Sequence, residues 1–287
     1  MIFLILAIIF SSLNHLLFKA FAHFRINLLS AIVTNYAVCV VIGFSSSVES
    51  IDISSMFGQS WYPLSVLQGG IFVACFFLMG WTTEKHGVAI ASLSSRLSVA
   101  IPTFIAFLLY DDTVTVLKLI GIFTALIALF LNGFEFKGVS HQRQAINIFP
   151  FLLFVVFGIH STLIKFVQAQ FLVSTSYHIY VMASFLSAFL LSGLVLVWRI
   201  FSRRHFGKWK DLLFGLILGC TNYGSVYFLL RALSIAGWQS SQLFPTISIA
   251  VVSLSSICAW AIFKERLHWK ILGAIIIGVS SIVLINL

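Results

Sequence analysis

Roughly every 25 to 30 residues this chain produces another apolar run about 20 residues long, the length that crosses a bilayer's hydrocarbon core. About ten such runs fit, at approximately 2–19, 28–47, 63–83, 88–109, 114–133, 146–166, 175–199, 211–233, 238–263 and 268–286. They take up nearly all 287 residues and leave no room for a soluble domain. In a medium without water, only helices or a closed barrel satisfy the backbone. Barrel strands alternate apolar and polar residues, whereas stretches such as 271–284 are apolar throughout except for Ser280 and Ser281 and do not alternate. The expected fold is an all-α membrane protein of ten transmembrane helices.

The charge content fits. Only 9% of residues are charged and 60% are hydrophobic, against about a quarter charged in soluble domains. The net charge of +9 invites a nucleic-acid reading. The basic residues fall in short connections between runs, however, where membrane topology explains them and nucleic acid is not needed. Cys39, Cys75, Cys220 and Cys258 all lie inside apolar runs. They show neither metal spacing nor a disulfide framework and are read as small buried residues, so no cofactor is implied. The stretch from Met1 to Phe10 lacks a basic flank and a cleavage site and is read as the first span, not a signal peptide. Trp61, Tyr62, Trp81, Tyr110, Trp198, Trp209, Trp238, Trp260 and Trp269 fall near run ends, the places of an interfacial aromatic belt.

The chain repeats itself. Phe77-Leu78 before Gly87 matches Phe228-Leu229 before Gly237, and Asp112 resembles Glu265. Lys118 before Ile120-Gly121 matches Lys270 before Leu272-Gly273, and 14–19 resembles 160–165. The halves, 1–140 and 141–287, hold five runs each. An odd number makes the second half enter the membrane inverted, an architecture of secondary transporters. Thirteen Lys and Arg residues fall in one set of loops, against Lys118, Lys165 and Arg231 on the other side. The positive-inside rule puts the first set in the cytoplasm and both termini outside.

The segment Phe228-Leu229-Leu230-Arg231-Ala232-Leu233, then Gln242-Leu243-Phe244-Pro245-Thr246, then Phe263-Lys264-Glu265-Arg266-Leu267 and Leu272-Gly273 carries a family resemblance. It resembles the C-terminal signature of the drug/metabolite transporter superfamily, in its ten-helix EamA-type branch, and the first half carries a degraded copy. The resemblance covers essentially the whole chain. It implies a secondary transporter with a central cavity lined by the third, fourth, eighth and ninth helices, helped by the first and sixth. It names no substrate: members move amino acids, other metabolites, sugar derivatives or drugs. Two departures stand out. Members commonly keep both termini in the cytoplasm, and only the second half here keeps the proline, Ser95 standing in the first.

Arg96 is the sharpest single residue. It lies within an apolar run beside Ser92, Ser94, Ser95 and Ser98, where a charge costs about 2.5–3.5 kcal/mol even on insertion scales. The eight acids all fall in loops or at run ends, so Arg96 must face carbonyls, hydroxyls, water or an anionic group of a ligand. Its repeat counterpart is Thr246. Small exporters of the superfamily use a carboxylate in the first helix; here that region offers Asn14 and His15, which disfavours cationic drugs as substrate. His15 and His160 are candidate proton carriers, against the plainer reading as helix contacts. Asn222, Tyr223, Tyr227 and Gln242 are either cavity lining or interhelical glue. Asn222 and Tyr223 cannot both share a face with Tyr227. Lys19 and Lys165 are read as snorkelling anchors. Pro102 and Pro245 are expected to break their helices and act as hinges, and Gly215 and Gly219 to pack closely on a neighbour.

No enzyme motif is present. The expected function is secondary-active transport of a small metabolite, an amino acid or other carboxylate-bearing solute, by alternating access in a bacterial inner membrane. Uptake and efflux both fit, as do a monomer and a homodimer. The alternatives are a sugar-phosphate or nucleotide-sugar exchanger, a drug exporter and, from a different class, a non-transporting membrane subunit or scaffold.

Overall fold

The computed structural model describes residues 1–46, 56–86, 88–110, 112–133, 148–173, 176–203, 207–235, 237–263 and 269–286. Among them there are helices and no strand. The helices are α1 (Ile2–Phe24), α2 (Leu28–Ser45), α3 (Tyr62–His86), α4 (Val88–Leu97), α5 (Ala100–Leu109), α6 (Val116–Gly133), α7 (Ile148–Gln170), α8 (Tyr177–Arg203), α9 (Trp209–Leu233), α10 (Ser240–Phe263) and α11 (Trp269–Asn286). Seven of these are long and apolar enough to cross a membrane, and shorter apolar helical stretches lie at Leu93–Leu109, Val116–Phe130 and Ile275–Ile285. Large apolar side chains cover the outside, with Phe201 83%, Leu108 81% and Val116 74% exposed. Water would penalise such a surface and lipid does not. The chain is an all-helical integral membrane protein.

Serine and threonine are tolerated in these apolar helices because their hydroxyls donate to a carbonyl of the preceding turn. Ser12 bonds to Ile8, Thr34 to Ser30, Thr162 to Gly158 and Ser184 to Tyr180, at 2.7–2.9 Å.

The helices form two compact units. Unit 1 comprises Met1–Ala74 and Leu163–Ile235; unit 2 comprises Cys75–Thr162 and Ala236–Leu287. Each unit therefore draws on both sequence halves. In unit 1, α9 packs on α1, α2 and α8, and α2 packs on α8. Glycines bring the backbones together. A Cβ on Gly219 would lie 2.8 Å from the Asn35 carbonyl oxygen and 2.6 Å from Val38 Cβ, and Gly215 is equally crowded by Ala31 and Thr34. The expected small-residue step of α9 thus packs on α2. On α3, a Cβ at Gly69 would lie 2.6 Å from both the Ser184 carbonyl oxygen and Ser187 Cβ of α8. Tyr36, Phe72 and Phe185 fill the space between, the last two stacked with centroids 4.8 Å apart.

In unit 2, α6 packs on α4, α10 and α11, and α10 packs on α5 and α11. The second half of α3 meets the first half of α7 through Leu78, Ala91 and Leu153. Gly237 precedes α10 with φ +84°, a conformation that glycine adopts without cost. Gly87 and Lys264–Leu267, parts of the signature, lie outside the described residues.

Two expectations need correction. Trp61 is no belt residue: it is 4% exposed and packs edge-on against Tyr180, while Trp81, Trp198, Trp209 and Trp260 are exposed as a belt requires. Cys220 is exposed and Cys258 half-buried, so only Cys39 and Cys75 are buried; all four are free thiols.

Candidate functional site

The candidate residues fall into one set in each unit. In unit 1 they cluster on α1, α2, α8 and α9. Asn14 of α1 donates to Ser225 Oγ (3.1 Å) and accepts from Thr221 Oγ1 (2.5 Å), two residues one turn apart on α9. Asn222 turns the other way and donates to Asn35 Oδ1 of α2 at 3.2 Å. Both asparagines are therefore engaged between helices, and His15 is half-buried beside Asn14. Tyr223 and Tyr227 point together, as their i, i+4 spacing requires, with rings nearly parallel at 6.1 Å.

The start of α8 completes this face. The His178 ring stacks on Tyr227 at 4.1 Å, and its Nδ1 lies 3.0 Å from Tyr223 Oη. Arg231, one turn beyond Tyr227, donates from Nε to Tyr227 Oη at 3.0 Å. Its guanidinium carbon lies 5.6, 5.4 and 5.5 Å from the ring centroids of Phe3, Tyr177 and Tyr227, within cation–π range. By sequence Arg231 counts only as a loop charge and His178 carries no signal of its own. The Tyr227–Arg231 spacing was readable; the pairing with His178, 45 residues from Tyr223, was not.

In unit 2 the run 88–109 is two helices, with turn residues Ser98 and Val99 between α4 and α5. Pro102 is the cause. It has no N–H for the Ser98 carbonyl and its ring crowds that group. The Ile101 N–H takes the Ser98 carbonyl instead, at 3.0 Å, and Val99 N–H reaches Arg96 O at 3.3 Å. Ser98 Oγ satisfies Ser95 O (2.6 Å) and Thr103 Oγ1 satisfies Val99 O (2.8 Å). Arg96 thus occupies the last turn of α4, half-buried at the break. Its charge there is favourable to the carbonyl end of the helix. Ser95 is buried; the side chain of Ser92 lies outside the described residues.

Pro245 does not behave alike. α10 runs unbroken through it, contrary to expectation. Leu243, Phe244, Thr246 and Ile247 are all buried around it. Gln242 also anchors this end: its Oε1 accepts from Gln239 N–H and its Nε2 donates to Ile285 O. Asp112, 9% exposed, accepts from Ser241 N–H at 2.7 Å and so caps α10. Lys118, 4% exposed, bonds to Thr113 and to Gln239 Oε1. Thr246 is buried, and His160 is half-buried against Phe157.

No family model matches the chain. An uncharacterized protein of Haemophilus influenzae is 26% identical over 295 residues, covering 97% of this chain and 95% of its own length. A solved crystal structure is similar with TM-score 0.75 and 16% identity, over 99% of this chain and 96% of its own. That likeness is one of fold.

Proposed function

We propose that this chain is a secondary-active transporter of a small carboxylate-bearing metabolite, such as an amino acid, in a cell's inner membrane. The observation that carries the reading is the interrupted run 88–109. An apolar segment that stops at Ser98–Val99 with a guanidinium on its last turn is expensive in lipid. Transporters use such broken helices to present charges and backbone groups to a solute.

The architecture we infer is two inverted five-helix repeats, 1–140 and 141–287. Exchanging the halves maps α1 onto α7, α2 onto α8, α3 onto α9, α4–α5 onto α10 and α6 onto α11. The packing of α1 on α9 then becomes that of α7 on α3, and α10 on α11 becomes α4 on α6. The glycine contacts support this residue by residue. Gly219 meets the carbonyl of Asn35 and the Cβ of Val38; Gly69 meets the carbonyl of Ser184 and the Cβ of Ser187. Both partners shift together by 149 positions (35 to 184, 38 to 187).

In the mechanism, the two repeats alternate access to a midplane cavity, the α4–α5 break acts as a hinge and Arg96 draws the solute's negative group. Screening purified protein by thermal shift against amino acids, organic acids, sugar phosphates and cationic drugs, beside Arg96→Ala, tests it. A ligand at 100 times its Kd adds about 2.7 kcal/mol of stability. Stabilisation of wild type but not Arg96→Ala by a carboxylate, followed by its uptake into proteoliposomes, is the expected result. Stabilisation by cations alone moves drug export to first place.

A further inference from the structure

We propose that Arg231 and the rings around it form a binding site for small monocarboxylates with an apolar or aromatic body. The assignment rests on the transporter reading for its use, since it names that transporter's solute class. It concerns a different side chain from Arg96 and is tested separately.

A guanidinium carries five N–H donors. Tyr227 takes the one on Nε, at 3.0 Å, and thereby fixes the plane of the group. Tyr227 is itself held by stacking on His178, and His178 by Tyr223 Oη. Rings from the starts of α1 and α8 and the end of α9 flank the cation: Phe3, Tyr177 and Tyr227. Its side-chain contacts among the described residues are that hydroxyl and those rings, with His178 nearby, and none is a carboxylate. Arg231 is half-buried, and its bond through Nε leaves the two-nitrogen edge of the fork to another partner.

That edge matches the two oxygens of a carboxylate through parallel hydrogen bonds. The rings supply an apolar wall for the rest of the molecule and few donors for the further oxygens of a phosphate. One fixed cation suits one negative charge and repels a cationic drug. A plain helix-end anchor is the competing account, since an arginine near a carbonyl terminus is favourable without any ligand. It predicts an arginine aimed at carbonyls or lipid phosphate, not one oriented through Nε by a tyrosine that is itself buttressed from another helix.

The experiment uses the full chain in detergent. Binding of phenylacetate, L-phenylalanine and the uncharged isostere phenylacetamide is measured by calorimetry and thermal shift for wild type, Arg231→Gln, Arg231→Lys and the surface control Lys210→Gln. The expected result is binding of a carboxylate and not of the amide, and a loss of about tenfold or more in Arg231→Gln. Arg231→Lys should fall between, because it keeps the charge without the fork, and it decides the matter if Arg231→Gln does not fold. Lys210→Gln should bind as wild type. Equal binding by wild type and both Arg231 variants overturns the site, as does equal binding of amide and acid, or no carboxylate binding at millimolar concentration. Displacement of the carboxylate by phosphatidylglycerol micelles as strong as its own binding makes Arg231 a headgroup anchor and overturns it too. Uptake by proteoliposomes separates the two readings. Binding that requires Arg231 without uptake keeps the site and sinks the transporter; uptake unchanged in Arg231→Gln keeps the transporter and sinks the site.

Discussion

Asn35 is fully enclosed, and its Oδ1 accepts from Asn222 Nδ2. Asn14 holds Thr221 and Ser225 in the same way. In lipid the alternative to such a bond is a polar group in hydrocarbon, yet measured interhelical bonds average only about 0.6 kcal/mol, with a maximum near 1.7. A double-mutant cycle on Asn35→Leu and Asn222→Leu, read by unfolding in SDS–detergent mixtures, should therefore give a coupling of about 0.5–1.5 kcal/mol. Zero coupling would mean that the bond does not join α2 to α9. Residue types were legible from sequence at this scale and partners were not. Asn222, Tyr223 and Tyr227 stood out as polar within an apolar run. That Asn222 turns to α2 while the tyrosines turn to His178 depends on helices distant in the chain. Trp61 departs from its expected place for the same reason: its ring looks interfacial by position, but Tyr180 covers it.

The helices themselves were mostly legible, because apolar length fixes them. Their interruptions were less so. Two prolines, 102 and 245, predict two breaks; the chain breaks before one and continues through the other. Each proline withholds an N–H from the carbonyl of a serine four residues earlier, Ser98 or Ser241, so the local sequence does not tell the two apart. Pro102→Ala supplies the helical N–H that would take Ser98 O in place of the tighter bond from Ile101. It should join α4 to α5, raise thermal stability and slow solute flux several-fold in proteoliposomes. Unchanged stability together with unchanged flux would show that Ser98 and Thr103, and not the proline, set the break. The glycine contacts give a sharper test. Gly219→Ala and Gly69→Ala each place a Cβ under 3 Å from a carbonyl oxygen and a neighbouring Cβ. Each should cost about 1–3 kcal/mol by overpacking. Gly193→Ala meets nothing within 4 Å and should be neutral or gain up to about 1 kcal/mol from helix propensity. Equal effects at all three positions in SDS unfolding would remove the close-packing account. Similar costs at 69 and 219, in contrast, are what duplicated contacts predict.

At the scale of the whole molecule, the distribution of charge bears on which way the chain faces. Thirteen basic residues against three point the termini outward, opposite to what the family resemblance implies. The three minority charges are not ordinary loop charges. Lys118 is buried and bonded to Thr113 and Gln239, Lys165 bonds to Gln168, and Arg231 lies among aromatic rings. Held within the fold, they weigh less against the majority than their number suggests, and the asymmetry is stronger for it. α9 offers a direct reading, because its 25 residues span about 37 Å at 1.5 Å each, more than the hydrocarbon core. Lys210 lies at its start, with Nζ on Phe24 O, and Ser234 just past its end; both are exposed. In a background with the four native cysteines replaced, Ser234→Cys should react with a membrane-impermeant maleimide on intact cells. Lys210→Cys should react only after permeabilisation. The reverse pattern would put both termini in the cytoplasm, turn the Arg231 ring cluster to the inner face, and make any carboxylate bound there a solute met from the cell interior.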